Sequence, residues 1–311
     1  MSIESTEAPP RPPCPAPANF AREVDAYDRH AEVGRWAGPR HRMTYRRLGQ
    51  GPPLVLVPGI ASTYRSYALL LNKLAERFST VVFDYPGDDP ADGARLGRIT
   101  HEHLVDDLFG LFDHLRIGRA FLFGPSFGST IVFKALRREP RRFPKSAVQG
   151  GFAYRRFSPA ERLALRLGRL VPGSMARLPL REKILDWNNK AQFPTPVVDR
   201  WPWYVEDNGR TPIGPFAHRL DLLAGLDLRS ILKDIPVEVL LLQGNEDRVV
   251  TRPHFDELLA GLPNAQGAIM PMVGHQPHVT HAEALASTLL DFFLPCAPGG
   301  CPGDRAEDRG R

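Results

Sequence analysis

One short stretch restricts the fold of this 311-residue chain more than any other. Three apolar residues suited to a buried strand, Phe121 to Phe123, run into the Gly-x-Ser-x-Gly pattern of Gly124-Pro125-Ser126-Phe127-Gly128, and a helical pattern starts at Thr130. The order of strand, serine and helix predicts a turn so tight that the serine takes up strained backbone and the two glycines avoid a collision of side chains. The alternative is an ordinary glycine and serine loop, which partner residues elsewhere in the chain would exclude.

The rest of the chain alternates between predicted strands and helices. Leu54 to Val57 is apolar, β-branched and bounded by proline and glycine, which is typical of a strand buried on both faces of a parallel sheet. Further strands are predicted at Met43 to Leu48, Thr80 to Asp84, Ala147 to Phe152, Val237 to Leu242 and Ala268 to Met270. Helices are predicted between them, and repeated β-α-β units favour a doubly wound, mostly parallel sheet in the α/β class.

This alternation stops between about 153 and 225, where we predict an inserted helical cap. Ser158-Pro159-Ala160-Glu161 combines a capping serine, a proline in the first turn and a glutamate three residues after the serine, so it predicts a helix start. Leu163, Leu167 and Leu170 then share one face, which we expect to be packed. Arginines at 162, 166 and 169 lie on another face, which we expect to be a solvated surface rather than a lipid-binding one.

The terminal segments differ in composition from this core. We expect residues 1–40 to form a proline-rich, largely disordered extension, with a short helix possible near Ala21 to Val33, and residues 296–311 to form a disordered tail. The domain of alternating strands and helices, with its inserted cap, therefore spans 41–295. The three cysteines lie at 14, 296 and 301 and have neither metal-ligand spacing nor a disulfide framework.

A serine hydroxyl needs a base, and the base needs an orienting carboxylate, before it becomes a useful nucleophile. Gly244-Asn245-Glu246-Asp247 places acids just after one predicted strand, and Gly274-His275 places a histidine after the last one. The chain order Ser126, Asp247, His275 is that of a serine, acid and histidine triad. Glu246 is adjacent to Asp247 and stays an alternative, and His278 is an alternative to His275 that we expect to be a surface or capping residue.

With these motifs and the Asp84-Tyr85-Pro86-Gly87 stretch, the sequence resembles the α/β-hydrolase superfamily over roughly Met43 to Leu294, as a serine esterase or lipase-like member with a helical cap. The resemblance implies an oxyanion hole made by the backbone amides of Ile60 and Phe127. Pro58 stands where the family often has histidine, and the loop after Gly87 reads Asp-Asp-Pro where glycine and serine often follow. We expect the first departure to alter the loop around Ile60 without removing its amide, and the second to alter the edge of the pocket more than the catalytic residues.

The predicted activity is acyl transfer to water by a serine hydrolase that forms an acyl-enzyme. Aromatic cap residues suggest a carboxylic ester with a hydrophobic portion as substrate; they are Phe152, Trp187, Phe193, Trp201, Trp203 and Tyr204. An acyltransferase, a carbon-carbon bond hydrolase, a thioester hydrolase or a cofactor-free peracid-forming enzyme would use the same triad. A ligand-binding protein without catalysis is the alternative from a different class.

Composition limits the partners of the chain. The net charge of +5 comes from 40 basic and 35 acidic residues, a mixture that does not indicate a nucleic-acid binder. Neither a secretory signal nor an apolar stretch of membrane-spanning length is evident, so we expect a cytoplasmic protein acting on a small molecule. We expect no cofactor and no metal ion; His101-Glu102-His103 is explained as a solvated first helical turn, since alternate positions diverge on a helix. The oligomeric state is not predicted.

Overall fold

A computed structural model describes residues 19–193, 197 and 199–294. These residues contain an eight-stranded sheet in the order β1-β2-β4-β3-β5-β6-β7-β8. The strands are β1 Glu32–Ala37, β2 Arg42–Leu48, β3 Pro53–Leu56, β4 Ser79–Phe83, β5 Phe121–Pro125, β6 Lys145–Gln149, β7 Glu238–Gly244 and β8 Ala265–Met270. All pairings from β4 through β8 are parallel, and β1 and β2 form an antiparallel edge. The prediction of a doubly wound, mostly parallel sheet is confirmed.

Helices cover both faces of this sheet. They are α1 Phe20–His30, α2 Tyr64–Leu74, α3 His101–His114, α4 Phe127–Arg138, α5 Pro159–Gly168, α6 Arg181–Asn189, α7 Arg200–Arg210, α8 Ile213–Ala224, α9 Arg252–Gly261, α10 Pro277–Thr280 and α11 Ala282–Phe293. One buried apolar cluster lies under α3, α4 and α9, and a second lies under α1, α2 and α11. The central strands are buried on both faces because each face has its own helical layer.

The fold begins earlier than the sequence predicted. Within the predicted extension of residues 1–40, α1 packs against α2, burying Phe20, Val24 and Tyr27, and β1 is hydrogen bonded to β2 from Glu32 to Ala37. The expectation of largely disordered residues is therefore wrong from Asn19 onward. Residues 1–18 and the tail at 296–311 lie outside the described residues, so the predictions for them stay predictions.

Helices α5 to α8 lie between β6 and β7, at the position predicted for the cap. An isolated antiparallel bridge pairs Tyr154 with Asp227, so the chain enters and leaves the cap at neighbouring points. The helix start is confirmed: the Ser158 side chain accepts from the Glu161 amide, and the Glu161 carboxylate accepts from the Ser158 amide.

The leucine face of α5 does not pack as expected. Leu163 is 60% exposed, Leu167 59% and Leu170 81%. The helix instead turns Leu165 toward the core, and Gly168 lies against Ala217 of α8. Helical periodicity identified an amphipathic helix, but it could not specify which side the rest of the cap would cover.

Among the described helices, none has the length and apolar character required to cross a bilayer.

Candidate active site

Ser126 stands at the turn between β5 and α4 with φ 48° and ψ −117°, a backbone conformation that costs free energy for any residue with a side chain. The two flanking glycines make the turn possible. A Cβ atom on Gly128 would lie 2.0 Å from the carbonyl oxygen of Val57, and one on Gly124 would lie 2.6 Å from a methyl group of Val132. The turn thus has the strained geometry that the Gly-x-Ser-x-Gly pattern predicted.

The structure brings the predicted base and acid to this serine. His275, in the loop after β8, has its Nε2 atom 3.1 Å from the Ser126 Oγ atom and its Nδ1 atom 2.7 Å from the Asp247 Oδ2 atom. The other oxygen of Asp247 accepts the backbone N–H groups of Val249 and Val250 at 2.8 and 2.9 Å. These bonds hold a fully buried carboxylate in one orientation, with the imidazole between it and the hydroxyl.

The two alternative site residues are not the ones that contact Ser126 and His275, although His278 lines the same cavity. Glu246 is exposed and is not the carboxylate that contacts His275. His278 is buried, contrary to the expected surface position, and its ring stacks on Tyr67 with the centroids 4.3 Å apart. Burial, and secondarily the nearby His275, lowers the pKa of His278 to about 3, so this second histidine is neutral at physiological pH.

The two amides expected to form the oxyanion hole belong to residues that line the same cavity as Ser126. Phe127 is the first residue of α4, and a helix leaves its first amides without intrahelical acceptors. In the loop after β3, the Gly59 amide donates to the Tyr67 hydroxyl at 2.9 Å, so the amide expected to serve as oxyanion donor is that of the next residue, Ile60. The Tyr85 hydroxyl donates to the Pro58 carbonyl at 2.8 Å and fixes the same loop.

Sequence reasoning missed the role of Tyr67 and Tyr85 in holding this loop. In the sequence, Tyr67 is only one of the apolar positions that predict a helix. Both rings are buried, and burial raises the pKa of Tyr67 to about 12 and also raises the pKa of Tyr85 well above its usual value, so both hydroxyls stay protonated. The hydroxyl that binds the Pro58 carbonyl is therefore a neutral hydrogen-bond donor. The proline replaces the histidine common in the family without freeing the loop.

Gly150 is a second residue that the sequence did not single out. It follows β6 with φ 53°, and a Cβ atom there would lie 3.1 Å from the His275 Cε1 atom and 3.2 Å from the Asp247 Oδ2 atom. The imidazole and the carboxylate thus pack against bare backbone. The only signal in the sequence was the pair of glycines at 150 and 151 after a predicted strand.

Four of the five predicted site residues line a cavity of about 500 Å³ between the sheet and the cap; they are Ile60, Ser126, Phe127 and His275. The fifth, Asp247, lies outside the lining and contacts His275. The wall of the cavity is mainly apolar and includes Ile60, Phe152, Leu185, Phe216, Leu220, Leu223 and Val250. Arg155 and Arg181 also line it, and among its described lining residues there is no aspartate or glutamate. The cavity therefore suits a substrate that is largely hydrophobic, and its charged lining groups are cationic.

The aromatic cap residues divide between four places. Phe152 and Tyr204 line the cavity. Phe193 and Trp201 pack with Tyr204 into an aromatic cluster, and Trp203 packs on Phe20 with the centroids 4.2 Å apart. Trp187 is 75% exposed. The expectation that all six contribute to the substrate pocket holds for two of them.

The aspartates after Gly87 do not line the substrate cavity. Asp88 and Asp89 border a separate depression of about 190 Å³, and Asp88 accepts a hydrogen bond from the buried Arg219 of the cap at 2.8 Å. This departure from the family pattern therefore attaches the cap to the sheet.

The His101-Glu102-His103 stretch has three separate roles. His101 is buried rather than solvated, with Nε2 2.8 Å from the Thr130 hydroxyl, and burial lowers its pKa to about 3. Glu102 pairs with Lys134 and Arg138, and His103 completes the cap of α3 with Thr100. No group of three metal-ligating side chains occurs in the part of the chain that the structure describes.

The chain is similar in sequence to known hydrolases. Residues 54–288 match the model of the Alpha/beta hydrolase family. The chain is 25% identical over 280 residues to a protein of Pantoea ananatis provisionally named carbamate hydrolase RutD, a match covering 84% of this chain and 98% of that protein. It is 23% identical over 260 residues to the 2-hydroxy-6-oxo-6-phenylhexa-2,4-dienoate hydrolase of Burkholderia cepacia, covering 81% and 91% of the two chains.

Solved structures are similar in fold. The enol-lactonase from Burkholderia xenovorans LB400 superposes with a TM-score of 0.71 at 22% identity, over 84% of this chain and 99% of the other. Because the family model covers most of the chain, including every strand from β5 to β8 and all the residues predicted for the site, this chain belongs to the alpha/beta hydrolase family.

Proposed function

We propose that this protein is a serine hydrolase that cleaves a carboxylic ester with a hydrophobic portion through an acyl-enzyme intermediate. The observation that carries the proposal is the chain of contacts from Ser126 through His275 to Asp247, at 3.1 and 2.7 Å, on one wall of an apolar cavity. Such a chain has the distances needed for proton transfer before attack.

In this mechanism His275 accepts the Ser126 proton at Nε2 while the serine oxygen attacks the ester carbonyl. The Asp247 carboxylate accepts the hydrogen bond from the Nδ1–H group of His275 and stabilises the imidazolium. The amides of Ile60 and Phe127 receive the tetrahedral oxyanion, and His275 returns the proton to the departing alcohol. A water molecule then repeats the sequence on the acyl-enzyme, which releases the acid and restores the serine hydroxyl. Losing one oxyanion donor typically costs about 10²–10³ in rate.

Serine at the turn favours this reaction over alkyl transfer. An ester formed on serine is cleaved by water at the acyl carbon, whereas an alkyl ether on Ser126 would not be released. The apolar wall supports an acyl or alcohol portion that is hydrophobic, and Arg155 and Arg181 provide favourable electrostatics for the acid product.

Hydrolysis of a carbon-carbon bond is the second candidate. It is supported by the Burkholderia cepacia relative, whose name is that of a dienoate hydrolase, and it would use the same three side chains. Acyl transfer to an alcohol or thiol would also use them, and adding acceptors to the ester assay would reveal it as a change in products.

The test is hydrolysis of p-nitrophenyl esters of increasing chain length by the wild type and by Ser126→Ala, together with fluorophosphonate labelling. Ser62 also lines the cavity, so Ser62→Ala is a matched control that removes a hydroxyl from the same wall. We expect Ser126→Ala to abolish labelling and turnover while Ser62→Ala retains labelling. A folded wild type that is neither labelled nor active on any ester would contradict the proposal.

A further inference from the structure

Exposed apolar side chains are concentrated in one stretch of the cap sequence. Of the eleven large hydrophobic residues that are exposed in the described chain, seven lie between 163 and 187. We call these seven the cap patch; they are Leu163, Leu167, Leu170, Val171, Leu180, Ile184 and Trp187. Large exposed groups of this kind usually mark a surface that contacts a partner or a membrane.

The α6 part of the cap patch borders the cavity of the candidate active site. Ile184 is 57% exposed and also lines the cavity, and it is accompanied there by Leu178, Pro179 and Leu185 from the same region of the cap. Helix α5 contributes Leu163 and Leu167 from its exposed side, Leu170 follows in the turn after Gly168, and no residue of α5 is buried. Ile184 therefore belongs both to the cap patch and to the wall of the cavity, whereas the leucines of α5 lie outside that wall.

The same region is strongly cationic. Residues 153–193 contain nine arginines and lysines and three acidic residues, a formal net charge of +6 compared with +5 for the whole chain. Six of the nine form no ion pair with any described residue; they are Arg155, Arg156, Arg162, Arg166, Arg177 and Lys183. Cations beside exposed leucines on an amphipathic helix are the pattern of a protein surface that lies on anionic lipid.

Two other occupants fit less well. In a two-fold dimer through the cap patch, two copies of this region, each with a net charge of +6, would face each other, and their repulsion disfavours association. The chain termini outside the described residues contain few large apolar residues, only Met1 and Ile3, so they offer no matching surface. The charge of the region instead requires an anionic partner with an apolar interior.

We propose that the cap docks on anionic phospholipid surfaces, with the cap patch in the headgroup region and the unpaired arginines on lipid phosphates. Docking in this position turns the cavity entrance toward the lipid. The proposal does not depend on the ester chemistry proposed above, because adsorption uses residues of α5 that do not line the cavity.

The test is co-sedimentation of the full chain with vesicles of phosphatidylcholine, with and without phosphatidylglycerol. Ser126→Ala is used as the background so that lipid turnover cannot affect the result. We expect binding to the phosphatidylglycerol vesicles that weakens with added salt, and little binding to phosphatidylcholine alone. The double variant Arg162→Gln/Arg166→Gln should bind about 25-fold more weakly, since each cation contributes about fivefold near such a surface.

The matched control neutralises two cations at the other edge of the sheet. Arg119 and Arg141 are exposed, form no ion pair with a described residue, and precede β5 and β6 at the ends opposite Ser126. The double variant Arg119→Gln/Arg141→Gln lowers the net charge equally and should bind as the wild type does. Equal losses in the two double variants would mean that overall charge, not the cap, drives adsorption, and would overturn the proposal.

A second pair of variants tests the apolar contribution. The triple variant Leu163→Gln/Leu167→Gln/Leu170→Gln should lose most of the binding, and the triple variant Val33→Gln/Leu259→Gln/Ile269→Gln, at exposed positions outside the cap, should retain it. Circular dichroism melts of each variant, and fluorophosphonate labelling of the same substitutions with Ser126 intact, establish that each variant folds. Absence of wild-type binding to anionic vesicles, or a dimer in ultracentrifugation that the cap triple variant dissociates, would refute lipid docking.

Discussion

The proposed catalytic residues His275 and Asp247 pack against Gly150, and replacing that glycine should impair the proposed reaction more than the fold. In Gly150→Ala, the new Cβ atom would meet the His275 ring at 3.1 Å and the Asp247 carboxylate at 3.2 Å, closer than ordinary van der Waals contact. The imidazole must therefore shift by a few tenths of an ångström. Because a misplacement of about 1 Å can cost about 10²-fold in rate, we expect kcat to fall roughly tenfold.

The effect on stability has a separate origin. Alanine at φ 53° costs about 1–2 kcal/mol, and the smaller conformational freedom of the unfolded variant offsets about 0.4–1 kcal/mol of this. The net loss in the free energy of unfolding is about 1 kcal/mol. Gly93→Ala provides the control, since Gly93 has φ 80° and no atom lies within 4 Å of the position that its Cβ atom would take. It should lose similar stability with unchanged kcat.

The assay combines urea unfolding with the rate of fluorophosphonate labelling, which reports the reactivity of the serine without requiring the natural substrate. KM for a p-nitrophenyl ester should change little, because Gly150 is not among the residues lining the cavity. If Gly150→Ala is labelled at the wild-type rate while it loses the same stability as Gly93→Ala, the crowding is absorbed elsewhere and the reasoning is refuted.

Three further results are expected. Asp247→Asn should reduce kcat by about 10⁴ without unfolding the protein, because the amide favours the wrong tautomer of His275; a loss below tenfold in an ester assay would contradict this. Burial raises the pKa of Asp207 to about 6, so its ionisation destabilises the fold as pH rises from about 4 to 6; Asp207→Asn should gain up to about 3 kcal/mol relative to the wild type across that window in urea titrations, and a constant difference would contradict it. Gly128→Ala should lose about 3 kcal/mol or more in thermal unfolding, since its Cβ atom would lie 2.0 Å from Val57, and a wild-type melting temperature would contradict it.

The residues that the sequence singled out for the site could be found because their signals are local. A glycine on each side of Ser126 and polar residues directly after buried strands follow from what a tight turn and a parallel sheet require. The spatial meeting of Ser126 with His275 then follows from the sheet topology, since the carboxyl ends of parallel strands share one edge.

Features that depend on contacts across the fold were not predictable in this way. Strand β1 is an edge strand with a mostly exposed pattern, so it lacks the apolar run that identified its neighbours. The burial of His278 depends on stacking against Tyr67, which lies far earlier in the chain. The exposure of the leucines on α5 depends on how the other cap helices are arranged, about which the periodicity of a single helix carries no information.

The bridge between Tyr154 and Asp227 has a consequence for how such a protein can change over evolution. Residues paired across antiparallel strands have Cα atoms about 5 Å apart, so the whole cap starts and finishes at one point on the sheet. The entropic cost of closing a loop grows only slowly with its length, and a short turn could join the same two points. Caps of different length and shape are thus exchangeable modules, and a lineage can acquire a new substrate pocket or a new docking surface while the residues around Ser126 stay as they are.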